Sequence, residues 1–463
     1  MSQEVVVVMA AGPAQEAPQL EAASPLGAVL ESYGARLTPI FERPALEGLE
    51  AAGPVDEAAA ARDAELARYY RAHVADEAAP ALAESLRALP QVETVYIKPA
   101  VENPLAPDHA VQAMAEAPAL PAPPPLIPDF RGSQGYLTAA PAGVNAAAAW
   151  ALAGGRGAGV RLIDIEGGWC FSHLDLRQNM AGLVGGVAYP GLDWRNHGTA
   201  VLGEISGDDN KFGVTGIAPD AMVAAVSHNP LGSAGAIQYA ASKLKPGDVL
   251  LLEMHRPGPR FAYQSRADQR GYIAVEWWPD DFLAIQAATA RGVIVVEAAG
   301  NGAENLDDPF YDTPGPGFPA SWRNPFRKTH DSGAIVVGAG APPNLAFGPD
   351  RSRLDFSNFG GRLDCQGWGR SVTTTGYGDL FSGPGENYWY TNAFSGTSSA
   401  SPIVAGVVAC LQGIAKAKGN LLSPLKTRTL LRKTGSPQTP GPSAPVAQRI
   451  GSRPNLAALV SQV

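Results

Sequence analysis

The sequence predicts an α/β fold, a mostly parallel central sheet flanked by helices, preceded by a smaller N-terminal α+β unit. Two observations carry that expectation. Beyond residue 158, short apolar runs recur between helical stretches. Strands apolar on both faces belong to a parallel sheet covered on both sides. Before residue 100 the texture is different, with brief strands around one helical stretch, and a proline-rich segment separates the two regions. A chain of 463 residues is long enough for one large core and a second smaller one.

Taken in order, Val5-Val6-Val7-Val8 reads as a strand, as do Arg36 to Phe41 and Tyr69 to Val74. The helix-forming stretch Asp76 to Leu89 follows, and Val92 to Ile97 returns to strand alternation after Pro90. This first unit spans 1–110. Pro118 to Pro128 is too rich in proline for a helix or a central strand and reads as an extended linker over 111–130. The large domain then runs over 131–463. Its strands are Gly159 to Asp164, Asp220 to Val226, Asp248 to Glu253, Gly292 to Ala298 and Gly333 to Ala339, with helices at Gly235 to Leu244 and Asp281 to Arg291 between them. In such sheets, functional residues gather beyond the carboxyl ends of the strands. Asp164, Glu253 and Asn301 fall at or just after such ends.

The formal net charge of −9 argues against nucleic acid or an anionic membrane as the main partner. Cys170, Cys365 and Cys410 match no metal spacing and cannot all pair with one another, so no disulfide framework is implied. The first residues lack a basic segment, and their apolar run stops at Gly12-Pro13, which reads as a strand and not a signal peptide. No uninterrupted apolar run reaches membrane-spanning length. The expectation is a soluble protein made in the cytoplasm, with export open only to a route that reads no signal peptide.

Four short segments carry chemistry. Ser398 lies in Phe394-Ser395-Gly396-Thr397-Ser398-Ser399-Ala400-Ser401-Pro402, just before an apolar helical run. A serine at a helix start presents its hydroxyl beside backbone N–H groups able to bind an oxyanion. His197 lies in Asn196-His197-Gly198-Thr199, Asp164 closes a strand, and Asn301 lies in Ala298-Ala299-Gly300-Asn301-Gly302. Each has a plain structural alternative: helix cap, core histidine, turn acid, Asn-Gly turn. A nucleophile, a base, an orienting acid and an oxyanion donor are also what serine-based acyl transfer requires.

Together, in the order Asp, His, Asn, Ser, these boxes resemble the signatures of the subtilases, the subtilisin-like serine proteases. The likeness extends through Gly213-Val214-Thr215-Gly216-Ile217-Ala218-Pro219. The resemblance implies a subtilisin-like catalytic domain that hydrolyses peptide bonds through an acyl-enzyme, acting on protein or peptide substrates and requiring no cofactor. By position it makes Ser398 the nucleophile, His197 the general base and acid, Asp164 its orienter and Asn301 an oxyanion donor. The N-terminal unit resembles the family's intramolecular chaperone and inhibitor domain in position, size and pattern, against the alternative of an unrelated accessory domain. Sedolisins share the Ser-Gly-Thr-Ser box but pair it with a Glu–Asp system, for which Glu166 and Glu253 are available; the complete His-Gly-Thr box favours the histidine mechanism.

Two departures stand out. The family's Asp-Thr-Gly is replaced by Asp164-Ile165-Glu166-Gly167-Gly168-Trp169, and the substrate-binding edge strand corresponds to Leu252-Glu253-Met254-His255-Arg256-Pro257-Gly258. Glu253, Met254, His255 and Gly300 are therefore the expected substrate-binding positions. Several subtilases bind calcium through a loop like Asp209 to Val214 with an acid placed like Asp175. Asp175 and Asn210 are the corresponding candidates here, with few oxygen ligands around them.

Overall fold

The computed structural model describes residues 3–11, 24–41, 57–106 and 126–463. The expected linker lies outside the described residues except for its last positions, Leu126 onward.

The N-terminal unit is an antiparallel sheet of β1 (Glu4–Met9), β2 (Arg36–Pro39), β3 (Tyr69–His73) and β4 (Val92–Lys98), in the order β2-β3-β1-β4. Helices α1 (Pro25–Ser32) and α2 (Ala79–Arg87) cover one face. Alternation along a strand sends Val5 and Val7 toward these helices. It sends Val6 and Val8 the other way, into a cluster with Tyr96, Ala234, Ile237 and Ile285. That second face packs on the large domain, which explains why four successive valines are all buried.

The large domain is built on seven parallel strands: β5 (Arg161–Glu166), β6 (Met180–Gly185), β7 (Met222–Ser227), β8 (Val249–Leu252), β11 (Ile294–Ala298), β12 (Ile335–Gly340) and β13 (Cys365–Trp368). Their order is β13-β12-β11-β8-β5-β7-β6. A small antiparallel pair, β9 (His255–Pro257) and β10 (Tyr272–Ala274), continues from β8 beyond the sheet. Helices α3 (Leu192–Ser206) and α6 (Thr397–Ala417) pack on one side, α4 (Gly232–Lys243) and α5 (Pro279–Ala290) on the other. The edge strands β6 and β13 escaped the sequence reading because their residues, MAGLVG and CQGW, lack a continuous apolar run.

Helix α6 is, among the described residues, the one helix long and apolar enough to cross a bilayer, and its apolar window is wholly buried inside the protein. β7, β8, β11 and β12 end within one residue of the expected positions, and β5 is the exception that matters. β5 does not stop at Asp164: its pairing with β7 continues through Glu166 opposite Ser227. The acid at the strand end is Glu166.

Candidate active site

Three segments converge at the carboxyl ends of β5, β8 and β11. Helix α3 brings His197 in, and it can approach because residue 198 is glycine: a Cβ there would lie 2.3 Å from the Gly168 carbonyl oxygen. Helix α6 begins at Thr397 behind Gly396, whose φ of +105° favours glycine and turns the chain into the helix. This sets Ser398 in the first turn. Its Oγ lies 2.8 Å from His197 Nε2, and His197 Nδ1 lies 2.7 Å from Glu166 Oε2. All three side chains are buried, and the Phe394 ring meets the imidazole edge-on at 5.5 Å.

Sequence position placed Asp164 against the imidazole, but in the structure the carboxylate standing there is that of Glu166. Side chains at 164 and 166 share one face of β5, but only the later one reaches the imidazole. Asp164 Oδ2 instead accepts the Trp169 indole N–H at 2.8 Å. Asp164 Oδ1 and Glu166 Oε1 receive no donor among the described residues, and the two carboxyls are within hydrogen-bonding reach of each other. Burial raises both carboxyls well above their usual range, and the Glu166 charge raises Asp164 further. Neighbouring buried carboxyls do not both ionise, so the pair shares a proton between them. Burial also lowers His197 to about 3, so the imidazole is neutral. With Glu166 accepting at Nδ1, the imidazole proton sits there and Nε2 is free to accept from Ser398.

Asn301 follows β11. Its Oδ1 accepts the Thr397 N–H at 3.0 Å and the Thr397 hydroxyl at 2.9 Å, which fixes the carboxamide with Nδ2 as its donor. Nδ2 meets Gln269 Oε1 at 3.1 Å.

Residues 101–106 lie across this constellation. Glu102 and His255 exchange both main-chain hydrogen bonds, at 3.0 and 3.1 Å, as neighbours in an antiparallel pair. Two residues on, the Pro104 carbonyl accepts the Ser398 N–H at 3.2 Å. The chain then turns, with Leu105 N–H bonded to Asn103 O at 2.8 Å. The expected substrate-binding positions divide accordingly. His255 contacts the segment through its backbone, and Met254 lies in the same apolar cluster as Val101. Glu253 faces inward, accepting from the Ser401 hydroxyl and reaching toward Ser398. Gly300 packs against Asn358 and Tyr272, where a Cβ would come within 2.9 Å of Asn358 Nδ2.

Residues 172–451, more than half of the chain, match the model of the subtilase family. This chain is a subtilase. Alkaline elastase YaB of Bacillus sp. (strain YaB) is 31% identical over 296 residues, covering 61% of this chain and 61% of the relative. Subtilisin DY of Bacillus licheniformis is 30% identical over 270 residues, 56% of this chain and 78% of the relative. The subtilase thus spans about three fifths of the first relative's length. The crystal structure of fervidolysin from Fervidobacterium pennivorans covers 100% of this chain with 61% of its own, at a TM-score of 0.57 and 17% identity, a likeness of fold. The family match begins beyond both Asp164 and Glu166, so geometry alone chooses between them. A signal for the choice was present in the sequence: the family's acid is followed by x-Gly, and Glu166-Gly167-Gly168 has that form whereas Asp164-Ile165-Glu166 does not.

At the family's calcium loop, the subtilase offers hydrogen-bond donors where a cation would need oxygens. Asp175 Oδ2 accepts from the Val214 N–H at 2.7 Å and the Tyr390 hydroxyl at 3.1 Å, and Oδ1 accepts from the Asn210 amide. Burial pushes Asp175 up to about 7 against those three hydrogen bonds. A carboxyl surrounded by donors does not fit calcium. Asn210 presents its NH₂ to Asp175 and its oxygen to Phe212 N–H, at 2.9 Å.

Proposed function

We propose that this subtilase is a serine endopeptidase in which Ser398 is the nucleophile, His197 the general base and acid, and Glu166 the acid that orients it. The observation that carries the reading is the single imidazole hydrogen-bonded to both Ser398 and Glu166. Ser398 Oγ attacks the peptide carbonyl carbon while its proton passes to His197 Nε2. The C=O electron pair moves onto oxygen, where the Ser398 N–H and Asn301 Nδ2 bind the developing charge. Collapse expels the amine, which takes the proton from His197. Water then repeats the sequence on the acyl-enzyme, His197 accepting its proton and returning it to Ser398. Glu166 stays unprotonated at Oε2 throughout, holding the Nδ1 proton and stabilising the imidazolium. Asp164 positions Glu166 through the shared proton. No cofactor enters this chemistry.

The N-terminal unit acts in this reading as a tethered inhibitor. Three observations support it. Residues 101–106 fill the cleft, with the Pro104 carbonyl on the Ser398 N–H where an oxyanion would sit. The turn at Leu105 takes the chain off the extended path a substrate follows. The docking face is also elaborate. Lys98 is buried between Asp280 and Asp281 at 2.5 and 3.2 Å, the Tyr96 hydroxyl bonds Asp280 at 2.9 Å, and Arg256 pairs with Glu4.

The test compares wild type with Ser398→Ala, a change that removes only a hydroxyl. Intact masses and peptidase assays are followed in parallel, with a fluorophosphonate to label the nucleophile. Wild type is expected to be labelled at Ser398, to lose its N-terminal unit and to cleave protein; the variant should do none of these. Equal peptidase activity in the two proteins would remove Ser398 from its role.

A further inference from the structure

We infer that the cleft selects peptides bearing a carboxylate side chain two residues before the residue that supplies the scissile carbonyl, read by Tyr272 and Ser265. The inference rests on the peptidase reading and names the substrate class of that same site. Residues 101–104 serve as the chain's own stand-in for a substrate. Pro104 marks the register, since its carbonyl occupies the Ser398 N–H, and Glu102 is two residues before it. Main-chain pairing of Glu102 with His255 is blind to side chains.

Selectivity therefore has to come from what the side chains meet. Val101 is buried among apolar groups, and Asn103 Oδ1 is buried with no partner among the described residues. Pro104 brings no N–H and no polar atom to its side chain. Glu102 alone of the four receives directional polar contacts to its side chain: its Oε1 accepts the Ser265 hydroxyl at 2.7 Å and the Tyr272 hydroxyl at 2.9 Å.

The Tyr272 donor is braced by its neighbours. The Tyr272 hydroxyl accepts the Arg266 N–H at 2.9 Å, which occupies its lone pair and leaves its proton for the carboxylate. The Tyr272 ring lies 4.7 Å from the His255 ring, and β10 pairs with β9 so that Tyr272 sits opposite Pro257. The reader of the side chain is thus braced against the residue that pairs with the main chain. Two hydroxyl donors converging on one oxygen suit a carboxylate, which accepts without donating. An aliphatic side chain leaves both without that acceptor, and a lysine ammonium brings only donors to face them.

The test uses internally quenched peptides containing Val-X-Asn-Pro-Leu-Ala, with X as Glu, Gln, Leu or Lys, and the purified wild type and Tyr272→Phe/Ser265→Ala double variant. In wild type, kcat/KM for Glu should exceed that for Leu by about tenfold, the scale of a charge-assisted hydrogen-bond pair at a partly exposed site. In the double variant that ratio should fall to within about twofold. A wild-type ratio already near one, or an unchanged ratio in the variant, overturns the inference. A second measurement uses the full chain: Glu102→Leu should loosen the covering segment and speed fluorophosphonate labelling of Ser398 by about tenfold. Unchanged labelling also overturns it. Absence of both cleavage and labelling in every protein removes the peptidase reading itself, whereas cleavage without preference at X removes this inference alone.

Discussion

Exchanging the charge on Glu166 separates the two candidate acids. Glu166→Gln keeps the volume and the fold but removes the carboxylate 2.7 Å from His197 Nδ1. An amide that turns its NH₂ to Nδ1 favours the tautomer protonated at Nε2, which cannot accept the serine proton. Loss of the correct tautomer costs serine peptidases about 10⁴ in rate, or roughly 5 kcal/mol at 1.36 kcal/mol per decade. Asp164→Asn should behave quite differently. Its carboxamide oxygen can still accept the Trp169 N–H, now at 2.8 Å from Asp164 Oδ2, while its NH₂ replaces the shared proton as the donor toward the Glu166 carboxylate. The expected loss is less than about tenfold, that of exchanging one neutral donor for another. The readouts are kcat/KM on a peptide and the rate of Ser398 phosphonylation, the latter free of any need for self-processing. A loss of several decades in Asp164→Asn beside a near-normal Glu166→Gln would return the orienting role to Asp164.

Asn301→Ala should lower kcat by about 10²–10³ with little change in KM, because Nδ2 acts on charge that develops only in the transition state. An effect confined to KM, measured by steady-state kinetics, makes it a substrate-binding residue. Lys98→Met leaves Asp280 and Asp281 facing each other in a buried site, and should cost the Ser398→Ala chain about 3–5 kcal/mol by urea denaturation. A loss below about 1 kcal/mol would mean that the docking face does not depend on that cation.

Much of this fold was legible because parallel strands buried on both faces write short, largely apolar runs, as β7, β8, β11 and β12 do and as the Leu162-Ile163 centre of β5 does. Strand ends were less legible. The carboxylates at 164 and 166 lie on the same face, and composition alone cannot say how far sheet pairing continues; the Glu166–Ser227 register decides it. The histidine and serine were found through their boxes, which are local. Tyr272 and Ser265 were not, since their role arises where a distant segment, residues 101–106, crosses them. The hydrogen bonds around Asp175 were hidden for a similar reason: the donor that completes the set is the hydroxyl of Tyr390, 215 residues away in sequence. The valine run at the N-terminus was visible as a strand, but its burial on two sides required knowing the large domain beneath it.

One feature of the chain's path changes what a cut in it means. On one side of the undescribed stretch 107–125, residues 101–106 are pinned in the cleft. On the other, Phe130 N–H bonds Gly213 O and Gly213 N–H bonds Pro128 O, both at 2.7 Å. Each flank is thus fastened to the large domain independently of the other. A nick between them severs a covalent bond without loosening either attachment, giving a two-piece molecule with its cleft still covered. The lag before activity would then follow the escape of the N-terminal piece, in which Val6, Val8, Tyr96 and the buried Lys98 must all come into water, and not the moment of scission. Native electrophoresis would show one species where denaturing electrophoresis shows two.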